Sequence, residues 1–255
     1  MEPSDTTKKY LDIVRHYEAT LDAHGDTPLG VDWPTRERAE SSYKVMLEVI
    51  KERAPNKVSL LDFGCGASHL YEYMAKAVWG RVDYAGLDIS PKFIELCRAK
   101  FPHVRYYCLD VLEEGSDIPC FDYIIMNGVL TERRNLSFEE MWSYAQRLIA
   151  RVFSKANKGI AFNVMSKQVD WERDHLFHLP IDMLVSFVVR KLSRYFTIRH
   201  DYHDYHYTAY VYKSYEPAAV KDAVPARYKP TGECAAATGD SNKRDPAAKD
   251  GRKVR

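Results

Sequence analysis

Val58-Ser59-Leu60-Leu61-Asp62-Phe63-Gly64-Cys65-Gly66-Ala67-Ser68-His69-Leu70 is the stretch that decides the reading of this 255-residue chain. An apolar run collides with Asp62-Phe63-Gly64-Cys65-Gly66, and that collision predicts a strand turning sharply into a helix. Gly64 and Gly66 let the backbone turn tightly and approach a ligand with no Cβ in the way. About twenty residues on stands Asp88, ending the next predicted strand, where a carboxylate can accept the hydrogens of both hydroxyls of a ribose. Loop and acid together describe a seat for a nucleotide-like cofactor.

The glycine pattern separates two cofactors that use such seats. A dinucleotide site normally carries G-x-G-x-x-G, with a helix N-terminus aimed at a pyrophosphate, whereas Gly66 is followed by Ala67, Ser68 and His69. Asp62 would also repel phosphate. Both points weigh against a nicotinamide-dependent dehydrogenase. A carboxylate in the turn suits a ligand that offers an ammonium and a sulfonium.

On these residues and three later motifs, the chain resembles the class I S-adenosylmethionine-dependent methyltransferases; Phe162-Asn163-Val164-Met165-Ser166, Val169-Asp170-Trp171, Leu176-Phe177-His178 and the terminal tyrosine-rich hairpin resemble a bacterial subgroup associated with small-molecule and glycan pathways. Asp62-Phe63-Gly64-Cys65-Gly66 matches the family's first motif and Gly86-Leu87-Asp88-Ile89-Ser90 its second. Cys108-Leu109-Asp110-Val111 matches the third, and Phe121-Asp122-Tyr123-Ile124-Ile125-Met126-Asn127 the strand of the fourth. The likeness spans about residues 40 to 213; Ser68 departs from it, standing where the family often has a third glycine. It implies that Asp62, Gly64 and Gly66 line the methionine end of the cofactor, that Asp88 with Ile89 takes the ribose, and that Asp110 and Val111 border the adenine. Asn127 and Gly128 would contact the cofactor's amino acid part or the acceptor. The cofactor would be S-adenosylmethionine, leaving as S-adenosylhomocysteine.

The order of elements points the same way. Strands are predicted at Tyr84–Leu87, Arg105–Cys108, Tyr123–Met126 and Ile160–Val164, with helices from Ser90 and Ser137 between them, which reads as a parallel sheet. Ser90-Pro91 supplies an N-cap and a first-turn proline, and Ser137-Phe138-Glu139-Glu140 has capping-box spacing, with Lys158-Gly159 closing that helix. Pro180–Leu192 is a further predicted helix, and Tyr195–His200 with Tyr207–Tyr212 form an antiparallel hairpin. The resemblance then implies an α/β, Rossmann-like fold: a seven-stranded, mostly parallel sheet ending in that hairpin, with helices on both faces. Residues 1–55 read as an N-terminal helical cap of the same domain, with helices at Tyr10–Leu21 and Arg36–Lys51, and 56–215 as the methyltransferase domain. The His24–Pro34 segment between the helices, with Trp33, is placed to act as a lid or only to pack the cap on the core. From 216 to 255 the composition predicts a disordered tail.

Composition narrows the partners. A formal net charge of +1 with 45% hydrophobic residues gives no pull toward nucleic acid or anionic membrane. Glu132-Arg133-Arg134-Asn135 reads as a short solvated loop, and Met126-Asn127-Gly128-Val129 lacks the prolines of enzymes that methylate exocyclic amines of bases. Five cysteines without a C-x-x-C, with Cys65, Cys97 and Cys108 in elements that read as buried, suggest a reduced compartment. With a polar start, MEPSDTTKKY, and no stretch near the roughly 20 apolar residues of a membrane span, the expected place is cytoplasmic.

The acceptor is expected to be a small molecule, methylated by in-line displacement on a hydroxyl of a polar metabolite or saccharide. Alternatives are N-methylation and a non-catalytic cofactor-binding partner subunit. Two sets could hold a general base. One is Trp171–His178, with Asp174, His175 and His178, after a strand's carboxyl end, where ligands bind in open α/β sheets. The other is Arg199–Tyr207 at the hairpin bend, with His200, Tyr202 and Asp204 on one side and Asp201, His203 and Tyr205 on the other. His175 and His200 are the candidates. Asp174, His175 and His178 lack a fourth ligand and Asn127 is not acidic, so no metal is expected.

Overall fold

The computed structural model describes residues 8–51, 56–76, 82–202 and 205–215; the expected tail, 216–255, lies outside them, as do His203 and Asp204. The quoted stretch forms β1 (Val58–Phe63) and turns at Gly64 into α3 (His69–Lys76), following α1 (Leu11–His24) and α2 (Arg36–Leu47). Then come β2 (Val82–Asp88), α4 (Pro91–Lys100), β3 (Arg105–Cys108), β4 (Phe121–Leu130), α5 (Phe138–Ser154) and β5 (Ala156–Ser166). The chain continues through β6 (His178–Leu179), α6 (Ile181–Lys191), β7 (Tyr195–Arg199) and β8 (His206–Tyr212). The sheet runs in the order β3-β2-β1-β4-β5-β8-β7, with β8 antiparallel to both neighbours and the other pairs parallel. These seven strands are joined by an eighth, the two-residue β6 beside β5, whose two residues are too few for a period-2 pattern.

Strand side chains alternate between two cores, because successive residues of a strand point to opposite faces. Leu61, Ile124, Met126, Ile160 and Phe162 pack with α5 and α6 on one face. Leu60, Tyr123, Ile125 and Ala161 pack with α2, α3 and α4 on the other. A sheet buried on both faces explains why β1 and β4 read as near-continuous apolar runs. The helix α2 thus belongs to a sheet face, with Met46 and Leu47 fully buried.

Local signals set the starts of α2, α4 and α5. Ser137 Oγ accepts the Glu140 N–H at 3.1 Å and Glu140 Oε2 accepts the Ser137 N–H at 2.8 Å, the reciprocal capping box that starts α5. Ser90 caps α4. The expected stop at Lys158-Gly159 is corrected: α5 ends at Ser154 and Gly159 lies inside β5. There a Cβ would sit 2.9 Å from Tyr212 Cδ1 and 3.0 Å from Val211 O, so this glycine admits β8 at close range. Cys65 and Cys97 are buried as expected, but Cys108, ending the edge strand β3, is exposed.

Candidate functional site

The carboxyl ends of β1, β2 and β4 open onto a cavity of about 510 Å³. The loop after β1 forms its floor. Gly64 (φ +73°) and Gly66 (φ +49°) both take the left-handed backbone that glycine adopts freely. Gly64 and Cys65 donate their N–H groups to Leu87 O at 2.7 and 2.9 Å, tying the loop to the end of β2. Ser68 takes a left-handed φ of +59° itself and gives its hydroxyl to Tyr106 at 2.9 Å, so it anchors the turn where a third glycine was expected.

Asp88 is 9% exposed and braced at both oxygens. Gly66 N–H donates to Oδ2 at 3.0 Å and Ser90 N–H to Oδ1 at 2.9 Å. Burial raises its pKa, with these backbone donors opposing the rise and Glu18 adding to it. Asp62 accepts the Tyr84 hydroxyl at 2.8 Å, and burial, with a smaller contribution from Asp88, lifts its pKa to about 7.

The cavity wall continues through Asp110, Val111, Asn127 and Gly128. The β4–β5 register shifts between Met126 and Leu130, and Gly128 sits in that irregularity with φ +82°. Such a shift turns a strand end away from its ladder. Asn127 Oδ1 accepts from Ser42 Oγ at 2.7 Å and from Asn163 Nδ2 at 3.1 Å, while Asn163 Oδ1 accepts the Gly128 N–H at 2.7 Å. The sequence reading missed Asn163 and Ser42; a polar residue inside the apolar run of β5 is the signal that could have found the former.

The roof comes from the N-terminal segment. Tyr10, Ile13 and Tyr17 line the cavity from the start and body of α1, and Val31, Asp32 and Trp33 from the short 3-10 turn Leu29–Val31 and its exit. Tyr10 stacks on Tyr144 (centroids 4.8 Å apart) and donates its hydroxyl to Asp110. Tyr17 donates to Gly128 O at 3.2 Å, and Ser90 to Glu18 at 2.5 Å. The segment around Trp33 therefore faces the cavity, and α1 covers it too.

Of the two base candidates, His175 lines the cavity and His200 does not. His200 is exposed against the edge of Tyr207, because it follows β7, with β8 between that strand and β5. Tyr205 and His206, at the start of β8, reach the cavity instead. His178 is buried with both ring nitrogens engaged: Nδ1 at 2.7 Å from Ser166 O and Nε2 accepting the Arg173 N–H at 3.1 Å. It holds the 166–178 loop shut. His178→Ala is expected to lower unfolding free energy by about 2–3 kcal/mol in urea titrations while leaving ligand affinity intact. Unchanged stability with lost turnover would make it a site residue instead.

The Glu132–Asn135 stretch corrects a reading. Glu132 is 4% exposed and lines the cavity. Arg133 and Arg134 N–H groups bond to His175 O at 2.9 and 3.1 Å, and Phe177 N–H to Thr131 O at 2.7 Å, which turns Glu132 inward. His16, Asp32 and Glu132 bring their polar atoms within 4.8 Å of one another, as do Asp26, His69 and Glu72. Arg134 lies 3.2 Å from one oxygen of Glu132 in the first group, and Lys100 pairs with Asp26 and Glu72 in the second. Protein cations thus already serve these acids. Asp174, His175 and His178 do not form such a group.

Residues 61–151 match a family profile described as "Methyltransferase domain". The provisionally named methyltransferase Rv1506c of Mycobacterium tuberculosis is 24% identical over 166 residues, covering 63% of this chain and 96% of that protein. Among solved structures, the magnesium protoporphyrin IX methyltransferase of Synechocystis PCC 6803, with bound SAM, superposes with a TM-score of 0.56 at 15% identity, covering 84% of this chain and all of that one. The plantazolicin methyltransferase BpumL gives a TM-score of 0.53 at 13% identity, over 81% and 94% of the two chains. These likenesses are of fold, a mostly parallel sheet with an antiparallel pair. No helix among the described residues is long and apolar enough to cross a membrane.

Proposed function

We propose that this S-adenosylmethionine-dependent methyltransferase carries the methyl group to a hydroxyl of a small polar metabolite or saccharide. The observation that carries the proposal is one continuous cavity lined both by the Gly64–Gly66 loop and Asp88 and by Asp32, Trp33, Glu132, Trp171, Arg173 and His206. Its size is that of small-molecule sites in general. Asp88 suits the ribose hydroxyls, Val111 and Ile13 an adenine face, and Asp62 the ammonium end, so the residues present fit the cofactor.

Bound S-adenosylmethionine supplies a methyl group on a sulfonium, a carbon ready for displacement. The protein's part is placement: holding the acceptor oxygen in line with that carbon is worth effective molarities on the order of 10⁵ M. Asn127, locked by Ser42 and Asn163, and Gly128, locked by Asn163, Tyr17 and Thr131, form the rigid edge against which the acceptor would rest. Trp33 and Trp171 offer faces for a ring. The carboxylates Asp32, Glu132 and Asp170 in the same wall favour one second reading, an amine acceptor. Cytoplasmic action and a lone small-molecule partner complete the proposal, supported by the buried thiols Cys65 and Cys97.

The test is calorimetric titration with S-adenosylmethionine, S-adenosylhomocysteine and NAD, followed by a screen of hydroxyl and amine acceptors for methyl uptake. Selective binding of the two sulfur compounds and methylated alcohols support the proposal; NAD binding alone sinks it.

Asp62 makes a separate prediction. With its pKa at about 7, the free protein holds a proton there below that pH. The ammonium group of the ligand favours the carboxylate, so S-adenosylhomocysteine should release close to one proton at about pH 6 and almost none at about pH 8. Titrations in buffers of different ionisation enthalpy count the protons, and Asp62→Asn should abolish the difference; equal counts at both pH values refute the assignment. For the free fold the sign is opposite to that of a salt-bridged acid. The folded pKa lies above the ordinary 3.8, so this group's contribution to stability declines as pH rises from about 4 to about 7.

A further inference from the structure

We infer that Glu132 is the group that receives the acceptor's proton, with His16 and Asp32 as the path by which that proton leaves. This rests on the hydroxyl acceptor proposed above. Glu132 lies just past the irregularity at the end of β4, adjacent in sequence to Thr131, whose hydroxyl donates to Gly128 O at 2.8 Å. The residue is 4% exposed and lines the same cavity as Asn127 and Gly128. A carboxylate kept from water has few ways to be satisfied, and Arg134 Nη1 at 3.2 Å reaches only Oε2.

Three segments converge on it. From α1 comes His16, whose Nε2 lies 3.0 Å from Asp32 Oδ2, and the polar atoms of His16, Asp32 and Glu132 lie within 4.8 Å of one another. From the turn after Leu29–Val31 comes Asp32, its side chain 44% exposed, while that of His16 is 20% exposed. From the 171–178 loop comes His175, which with Arg134, His16 and Asp32 completes the charges acting on Glu132; the Tyr17 phenol also feels it. The gradient from a buried acid through a half-covered imidazole to an exposed acid runs from cavity to solvent.

The step balances as follows. An acceptor oxygen lone pair forms the bond to the methyl carbon as the carbon–sulfur bond breaks and its electron pair stays on sulfur, leaving a neutral sulfide. The O–H proton passes to the Glu132 carboxylate, then through His16 to Asp32, and from there to water. Glu132 is restored to its charged form and one proton reaches solvent per methyl transferred. Burial raises the Glu132 pKa above the ordinary 4.5, with Arg134 opposing, which brings it toward the range where a base is both largely ionised and able to hold a proton.

The test has two arms. In the first, Glu132→Gln, Glu132→Asp and wild type are compared for methyl transfer to the hydroxyl compounds of the acceptor screen, with S-adenosylhomocysteine affinity as the control for folding and seat. Expected are a hundredfold or greater loss of kcat in Glu132→Gln, partial recovery in Glu132→Asp, and affinity within twofold of wild type. In wild type, kcat should rise with pH as Glu132 ionises. In the second arm, needing no acceptor, infrared spectra over a pH series should show a protonated-carboxyl band in wild type, absent from Glu132→Gln, that disappears at a pH above the ordinary glutamate range. Full turnover in Glu132→Gln, or a band lost at ordinary acidic pH, overturns the inference and leaves the methyltransferase reading untouched. Failure of wild type to methylate any hydroxyl compound while binding the sulfur ligand overturns the hydroxyl acceptor and this inference with it, and leaves the amine acceptor standing.

Discussion

Replacing Asp88 by alanine is expected to weaken S-adenosylhomocysteine binding by roughly a hundredfold or more, about 2.7 kcal/mol. Two losses add. A buried carboxylate accepting ribose hydroxyls makes charge-assisted bonds, each worth about 1.5–3 kcal/mol. The same carboxylate also holds the N–H of Gly66 at 3.0 Å and of Ser90 at 2.9 Å, so its removal frees the glycine loop that forms the cavity floor. Asp88→Asn keeps the shape and one acceptor oxygen but turns an NH2 group toward a backbone donor, and about tenfold loss is expected from it. Folding should suffer less than binding, since burial already disfavours the charged form of this acid. Calorimetry on the three proteins decides: equal affinities would remove Asp88 from the seat.

Gly64→Ala is expected to lower stability by about 3 kcal/mol, roughly 6–12 °C in melting temperature, and to abolish detectable cofactor binding. The residue has φ +73°, and a Cβ there would lie 2.5 Å from Val129 Cγ2. A β-branched neighbour cannot swing aside cheaply. The contact and the backbone strain are separable: Val129→Ala added to Gly64→Ala should return the part of the loss due to overlap and leave the part due to φ. Thermal melts of the single and double variants measure both parts. A double variant no better than Gly64→Ala would show that overlap plays no role.

What was legible in the sequence followed from local rules. Gly64, Gly66, Asp88 and the caps at Ser90 and Ser137 depend on their own neighbours, and the structure has the same turn and the same helix starts. The parallel part of the sheet followed from strands separated by helices over most of the run, β3 and β4 excepted. What was not legible depends on partners far along the chain. Glu132 sits in a charged run that would suit a surface loop, and only backbone pairing with residues 175 and 177 turns it inward. His16 and Asp32 join it across a hundred residues or more. His200 and His206 belong to the same histidine-rich bend, and which of them reaches the cavity depends on the order of β7 and β8 in the sheet. Gly159 looked like a helix stop because nothing local reveals that Tyr212 crosses over it.

The cavity's two ends are encoded in different places. The floor, from Asp62 to Gly128, falls within the matched span 61–151, whereas Asp32, Trp33, Trp171, Arg173 and His206 all lie outside it. The floor, together with Glu132, therefore forms one contiguous part of the sequence, and the remaining walls are separable fittings carried on two loops and a strand end. On the proposed function, grafting other sequence onto residues 29–34 or 167–175 is expected to redirect the transferred carbon to a different recipient without rewriting the part of the chain proposed to hold its donor.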